Sequence, residues 1–134
     1  MVDDELYCSR NLKIRDKNGK ILPFEWNDAQ RFLHAKIDEQ IAKRGWVRVI
    51  VLKGRQQGIS TYTAARFYKR TSMKFGKRCM IITHLDAATQ NLFGIVKTYH
   101  ELGDDTLKPQ TKNSNATELN FNKLRSSYRV ATAG

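Results

Sequence analysis

Val47-Arg48-Val49-Ile50-Val51-Leu52 runs directly into Lys53-Gly54-Arg55-Gln56-Gln57-Gly58-Ile59-Ser60-Thr61, and the rest of the chain is best read outward from this join. The first six residues are almost uninterruptedly apolar and rich in β-branched side chains, the pattern of a strand buried on both faces. A glycine-containing loop follows. A helix is then expected from about Ser60 to Lys74, ended by Phe75-Gly76. Cys79-Met80-Ile81-Ile82-Thr83 reads as a second buried strand. Strand, loop, helix and strand make a βαβ unit, and the right-handed crossover rule would place both strands in one parallel sheet with a helix across a face.

Toward the N-terminus, residues 1–22 read as a polar, irregular arm with a short hairpin around Asn18-Gly19. Pro23-Phe24-Glu25-Trp26 is an apolar approach to a helix. Asn27 can cap that helix, and Gln30 three positions later completes a capping box. Ala29, Leu33, Ile37 and Ile41 form one apolar stripe, and the helix should stop near Gly45. Toward the C-terminus, Asp86 can cap a further helix whose stripe is Leu92, Ile95/Val96, Tyr99 and Leu102. A polar stretch runs from Gly103 to Thr117, and short strands are expected near Glu118–Phe121 and Tyr128–Thr132.

The chain's 134 residues suit one core. With 40% hydrophobic and 28% charged residues, it has the composition of a folded chain rather than a disordered one. No apolar run approaches the roughly 20 residues that span a bilayer. The acidic start at Asp3, Asp4 and Glu5 is unlike a signal peptide, so a cytoplasmic protein with no membrane partner is expected. Cys8 and Cys79 are far apart, form no metal-ligand cluster and are expected to stay reduced. The formal net charge is +11, and no acidic residue occurs between Ile41 and Leu85 while lysines and arginines recur from Lys43 to Arg78. A solvated basic face accounts for part of this pattern, and phosphate binding accounts for the rest.

A loop between a buried strand and a helix is where backbone N–H groups and the positive end of the helix dipole converge on an anion. Against the phosphate-loop pattern G-x-x-x-x-G-K-[ST], the loop fits at Gly58 and Ser60. It departs at the first glycine, where Lys53 stands, and at the lysine, where Ile59 stands. The bland alternative is a turn whose hydroxyl merely caps the next helix. The loop nevertheless carries its own cations, Lys53 and Arg55, and no carboxylate.

The strand followed by Lys-Gly-Arg-Gln-Gln-Gly-Ile-Ser-Thr resembles the variant Walker A loop of phage large terminase subunits, in which the basic residue can sit at the start of the loop. The resemblance spans about residues 23–134. It implies an α/β fold, a P-loop NTPase-like parallel sheet flanked by helices and truncated before its later strands, with 1–22 as an arm and 23–134 as a partial ATPase domain. ATP and Mg²⁺ are the implied cofactors. Lys53 and Arg55 would be catalytic, contacting phosphate and stabilising transferring charge. Gly54, Gln56, Gln57, Gly58, Ile59, Ser60 and Thr61 would complete the nucleotide loop, with Ser60 on the metal.

Phe24-Glu25-Trp26-Asn27-Asp28-Ala29-Gln30-Arg31 is similar to the adenine-reading segment of the same motors. There Gln30 would hydrogen-bond the base edge while Trp26 or Phe24 stacks on it. The bland alternative is that Gln30 only closes the capping box and Trp26 only seats the helix. Ile81–Ala88 looks like a strand-to-helix junction that faces nucleic acid, with His84 as the residue of interest. Tyr128–Gly134 resembles the strand before the carboxylate motif.

ATP hydrolysis needs carboxylates that would come as an Asp-Glu pair at the end of a buried apolar strand, and no expected strand ends in one, since the late pair Asp104-Asp105 sits in a polar stretch. A downstream nuclease domain is expected in the whole protein, and this piece alone is expected to hydrolyse little. The implied partners are double-stranded DNA and, for the full-length protein, the portal protein and small terminase subunit. The piece itself is compatible with a monomer. Two alternatives stand beside this one: a piece of another helicase-like DNA motor, and a non-enzymatic basic α/β module that binds DNA.

Overall fold

In the computed structural model, residues 4–52, 58–102, 113–114, 118–121 and 124–133 are described. The first helix, α1 (Asp4–Asn11), carries Asp4 and Glu5 in its opening turn, where negative charge complements the helix dipole. A hairpin follows, β1 (Lys13–Arg15) against β2 (Ile21–Pro23), with Lys13 opposite Pro23. The Asn18-Gly19 turn closes it, and the Asp16 carboxylate accepts from the N–H groups of Asn18 and Lys20 at 2.8 Å.

Helix α2 (Asp28–Arg44) begins at the expected capping box. Asn27 Oδ1 accepts from the Gln30 N–H at 2.9 Å, and Gln30 Oε1 accepts from the Asn27 N–H at 2.8 Å. Its end is Gly45 at φ 77°, whose N–H donates to the Ile41 carbonyl at 2.8 Å. Leu33 and Ile37 of the expected stripe are buried, whereas Ile41 lies at the edge.

Helix α3 (Ile59–Met73) and helix α4 (Asp86–Leu102) bracket β3 (Arg78–Thr83) in sequence. The remaining strands are β4 (Asn113–Ser114), β5 (Glu118–Phe121) and β6 (Ser126–Thr132). They form one mixed sheet in the order β3-β6-β5-β4. β3 and β6 are parallel, with Arg78 opposite Ser127 and Thr83 opposite Thr132, and the other pairs are antiparallel. Both α3 and α4 pack on β3 and β6. Tyr128 and Val130 of β6 and Leu119 and Phe121 of β5 join Phe93, Val96 and Tyr99 of α4 and Tyr62, Ala64, Ala65 and Tyr68 of α3 in one core. Phe93, rather than Leu92, leads the buried stripe of α4, and Leu102 is exposed. The alternate residues of β3 turn away from this core, leaving Met80 50% and Ile82 63% exposed.

The chain is thus mixed α/β, with a parallel pair inside a small sheet. The parallel partner of β3 is β6 and not the expected strand at Val47–Leu52. That segment forms no strand, and Ile50 and Leu52 are 93% and 99% exposed. The physical reason is that β-branched composition makes a segment able to be a strand but supplies no partner. A strand buried on both faces needs ladder neighbours and covering layers, and among the described residues Val47–Leu52 has no ladder neighbour. The Arg48 N–H of this segment donates to Gln40 Oε1 on α2 at 3.1 Å.

The N-terminal residues contribute to the same core through Tyr7, Cys8 and Leu12. Asp4 makes ion pairs with Arg66 and Lys69 of α3. Both cysteines are free, Cys8 buried and Cys79 half-buried. Among the described residues no helix is long and apolar enough to cross a membrane.

Candidate functional site

Helix α3 starts abruptly at Gly58, which holds φ 78° and ψ 11° and provides no side-chain cap. The Gly58 carbonyl accepts the first helical bond, from the Tyr62 N–H at 3.0 Å. The N–H groups of Ile59, Ser60 and Thr61 precede that first bond and have no acceptor within the helix. The first turn contains no acidic residue. Ser60 is exposed, and Thr61 is half-buried. An uncapped, acid-free N-terminus on a 15-residue helix presents positive potential to an incoming anion.

Tyrosine hydroxyls peg this end of α3 to its neighbours. Tyr99 of α4 donates to the Thr61 carbonyl at 3.0 Å, and Tyr128 of β6 donates to the Ala64 carbonyl at 3.1 Å. Tyr62 OH lies 2.7 Å from His34 Nδ1 on α2. His34 Nε2 is 3.1 Å from Asp38 Oδ2, so the ring proton belongs on Nε2 and Tyr62 donates to Nδ1.

Gln30 is buried, at 2% exposure, with both ends of its amide engaged. Its oxygen closes the capping box, and its Nε2 donates to the Gly58 carbonyl at 2.8 Å. Phe24 and Trp26 are core residues as well. Phe24 stacks on Tyr99 with centroids 6.2 Å apart, and Trp26 packs against His34 at 4.7 Å and edge-on to Tyr62 at 5.2 Å. Base stacking needs an open ring face, and in this structure both rings are covered by protein.

The sequence-expected residues Lys53, Gly54, Arg55, Gln56 and Gln57 lie outside the described residues. Gly58, Ile59, Ser60 and Thr61 come together with Gln30 at the start of α3. Beside them is an open cleft of about 710 Å³, bounded by Phe32, Leu33 and Lys36 of α2, by Arg48 and Ile50, and by Ile59.

One constellation escaped the sequence reading. Thr83 Oγ1 lies 2.6 Å from Thr89 Oγ1, which lies 2.6 Å from Thr132 Oγ1. The three hydroxyls tie the carboxyl ends of β3 and β6 to the start of α4. Threonines 6 and 43 residues apart give no sequence signal of such a chain. The singled-out neighbour, His84, is exposed. Among the described residues no group of His, Cys, Asp and Glu could hold a metal ion.

The class defined so far is a mixed α/β chain with an uncapped, acid-free helix terminus beside a largely apolar cleft. No protein-family model matches the sequence, and no curated protein matches it.

Proposed function

We propose that this chain binds ATP through Lys53–Thr61 and forms the N-terminal ATP-binding part of a P-loop motor of the viral DNA-packaging terminase kind. The observation that carries the proposal is the start of α3, where a left-handed glycine leads into an exposed Ser60 and a first turn without carboxylates. Backbone N–H groups there suit phosphate oxygens, and the Ser60 hydroxyl suits Mg²⁺. Lys53 and Arg55, next along the loop, would neutralise the charge that develops during phosphoryl transfer. In the whole protein, hydrolysis requires carboxylates on the metal. DNA translocation and the portal and small-subunit partners belong to this same proposal.

Calorimetric titration with ATP and Mg²⁺, beside tripolyphosphate, tests it. Saturable binding that prefers ATP is expected. Lys53→Ala should weaken ATP binding about tenfold or more, as loss of a charge-assisted contact does. It should barely change affinity for DNA, because one lysine among 24 basic residues matters little to a diffuse surface. Ser60→Ala should blunt the Mg²⁺-dependent part. Equal loss of ATP and DNA binding in Lys53→Ala would reject the loop assignment.

A second reading, a basic module that binds DNA without ATP, is favoured by a different observation. Val47–Leu52 does not form the strand that would lead into a phosphate loop. Arg70, Lys74, Arg78 and Arg125 are exposed and make no ion pair with a described residue. Steep salt dependence for DNA with no preference for ATP over tripolyphosphate would select it.

A further inference from the structure

The Gln30 side chain joins two segments 28 residues apart, and its chemistry at each end is different. At one end its oxygen accepts from the Asn27 N–H, which fixes the start of α2. At the other its Nε2 donates to the carbonyl of Gly58, the same oxygen that accepts from the Tyr62 N–H at 3.0 Å. Both lone pairs of that carbonyl are therefore used, so the Gly58 peptide plane is set from outside the helix as well as from within it. Space confirms how closely the two residues meet: a Cβ on Gly58 would lie 2.6 Å from Gln30 Nε2 and 3.2 Å from Asn27 Nδ2. The amide is also buried, at 2% exposure, which makes loss of the bond costly.

We infer that Gln30 is a positioning residue: its amide holds Gly58 in the left-handed conformation that aims the first N–H groups of α3 outward. On the ligand side this rests on the nucleotide proposal, and it reassigns Gln30 within it, from reading the base to shaping the phosphate end. The bridge itself rests on geometry alone. A base reader and a loop positioner differ in what they do to a ligand that has no base. Loss of a reader removes the preference for ATP over tripolyphosphate and leaves tripolyphosphate affinity intact. Loss of a positioner weakens both by the same factor.

Two measurements on the full chain test the inference. In Gln30→Glu the carboxylate still accepts from the Asn27 N–H but has no proton for the Gly58 carbonyl. Amide hydrogen exchange without ligand should then quicken at Tyr62 by on the order of tenfold, the worth of one net hydrogen bond. The Arg31 N–H, which donates to the Asn27 carbonyl at 3.0 Å, should keep its rate. No change at Tyr62, or equal quickening at both sites, would overturn the inference. In Gln30→Met, affinities for ATP and tripolyphosphate should fall together with their ratio unchanged. A ratio that drops toward one at constant tripolyphosphate affinity would restore the base-reading role and overturn the positioning one. Should the unmodified chain bind neither ligand, the nucleotide proposal falls, and the exchange measurement still decides the role of Gln30.

Discussion

At Gly58, a φ of 78° and the 2.6 Å approach of Gln30 to any added Cβ act on the same atom position. Gly45 has nearly the same backbone, φ 77°, with nothing within 4 Å of its Cβ site. The two glycines therefore separate conformational strain from crowding. Gly45→Ala should cost about 1 kcal/mol, the left-handed penalty of a side chain. Gly58→Ala should cost about 2–3 kcal/mol, because the bridge to Gln30 must also break or shift. Urea unfolding of both variants measures the difference. Equal losses would mean that the Gly58 junction relaxes freely and that the close approach carries no energy.

Among the elements, Val47–Leu52 is where expectation and structure part. Five apolar residues in six positions look like a buried strand, but Ile50 and Leu52 stand almost fully in solvent. Ile50→Ser and Leu52→Ser should each change stability by no more than about 0.5 kcal/mol, as surface substitutions do. A buried strand would lose about 2–5 kcal/mol at such positions, so a loss of that size in urea unfolding would put the segment back into a sheet. What the sequence did show was local. The Asn27–Gln30 capping box, the Gly45 stop, the turn at Asn18-Gly19 and the extents of α3 and β3 all depend on residues within a few positions of one another. Strand partners depend on distant residues, which is why the pairing of β3 with β6 could not be read. The same holds for the candidate site. Its glycine and hydroxyl were legible as a loop-to-helix pattern, while the Gln30–Gly58 bridge and the tyrosine pegs join residues 28 to 64 positions apart. Helix α1 was missed for a different reason, since only Tyr7 and Cys8 of its eight residues are buried and its apolar stripe is too short to register.

Over the whole molecule, all five tyrosines are buried, and they cross-link α1, α3, α4 and β6. Burial pushes the ionisation of Tyr7, Tyr62, Tyr68, Tyr99 and Tyr128 upward, with the neighbouring Arg66 opposing it at Tyr62. Burial likewise raises the Cys8 thiol to about 11, against a partial pull downward from Trp26. Each of these groups stays neutral in the folded chain at a pH where the unfolded chain has begun to lose its protons. The unfolded state then binds fewer protons, so stability must fall as pH rises. The contribution is complete below about pH 9 for the cysteine and about pH 10 for the tyrosines, and it is lost on rising through the elevated folded values. Each group still neutral only in the fold removes about 1.4 kcal/mol per pH unit above its unfolded pKa, and several act together. We therefore expect the urea midpoint to hold from neutral pH to about pH 9 and then to drop steeply. Phenolate absorbance should rise in one cooperative step with loss of helix rather than gradually. A gradual rise near the ordinary tyrosine pKa with the helix signal intact would show that the hydroxyls reach solvent, and that the tyrosine pegs do not hold α3 against the sheet.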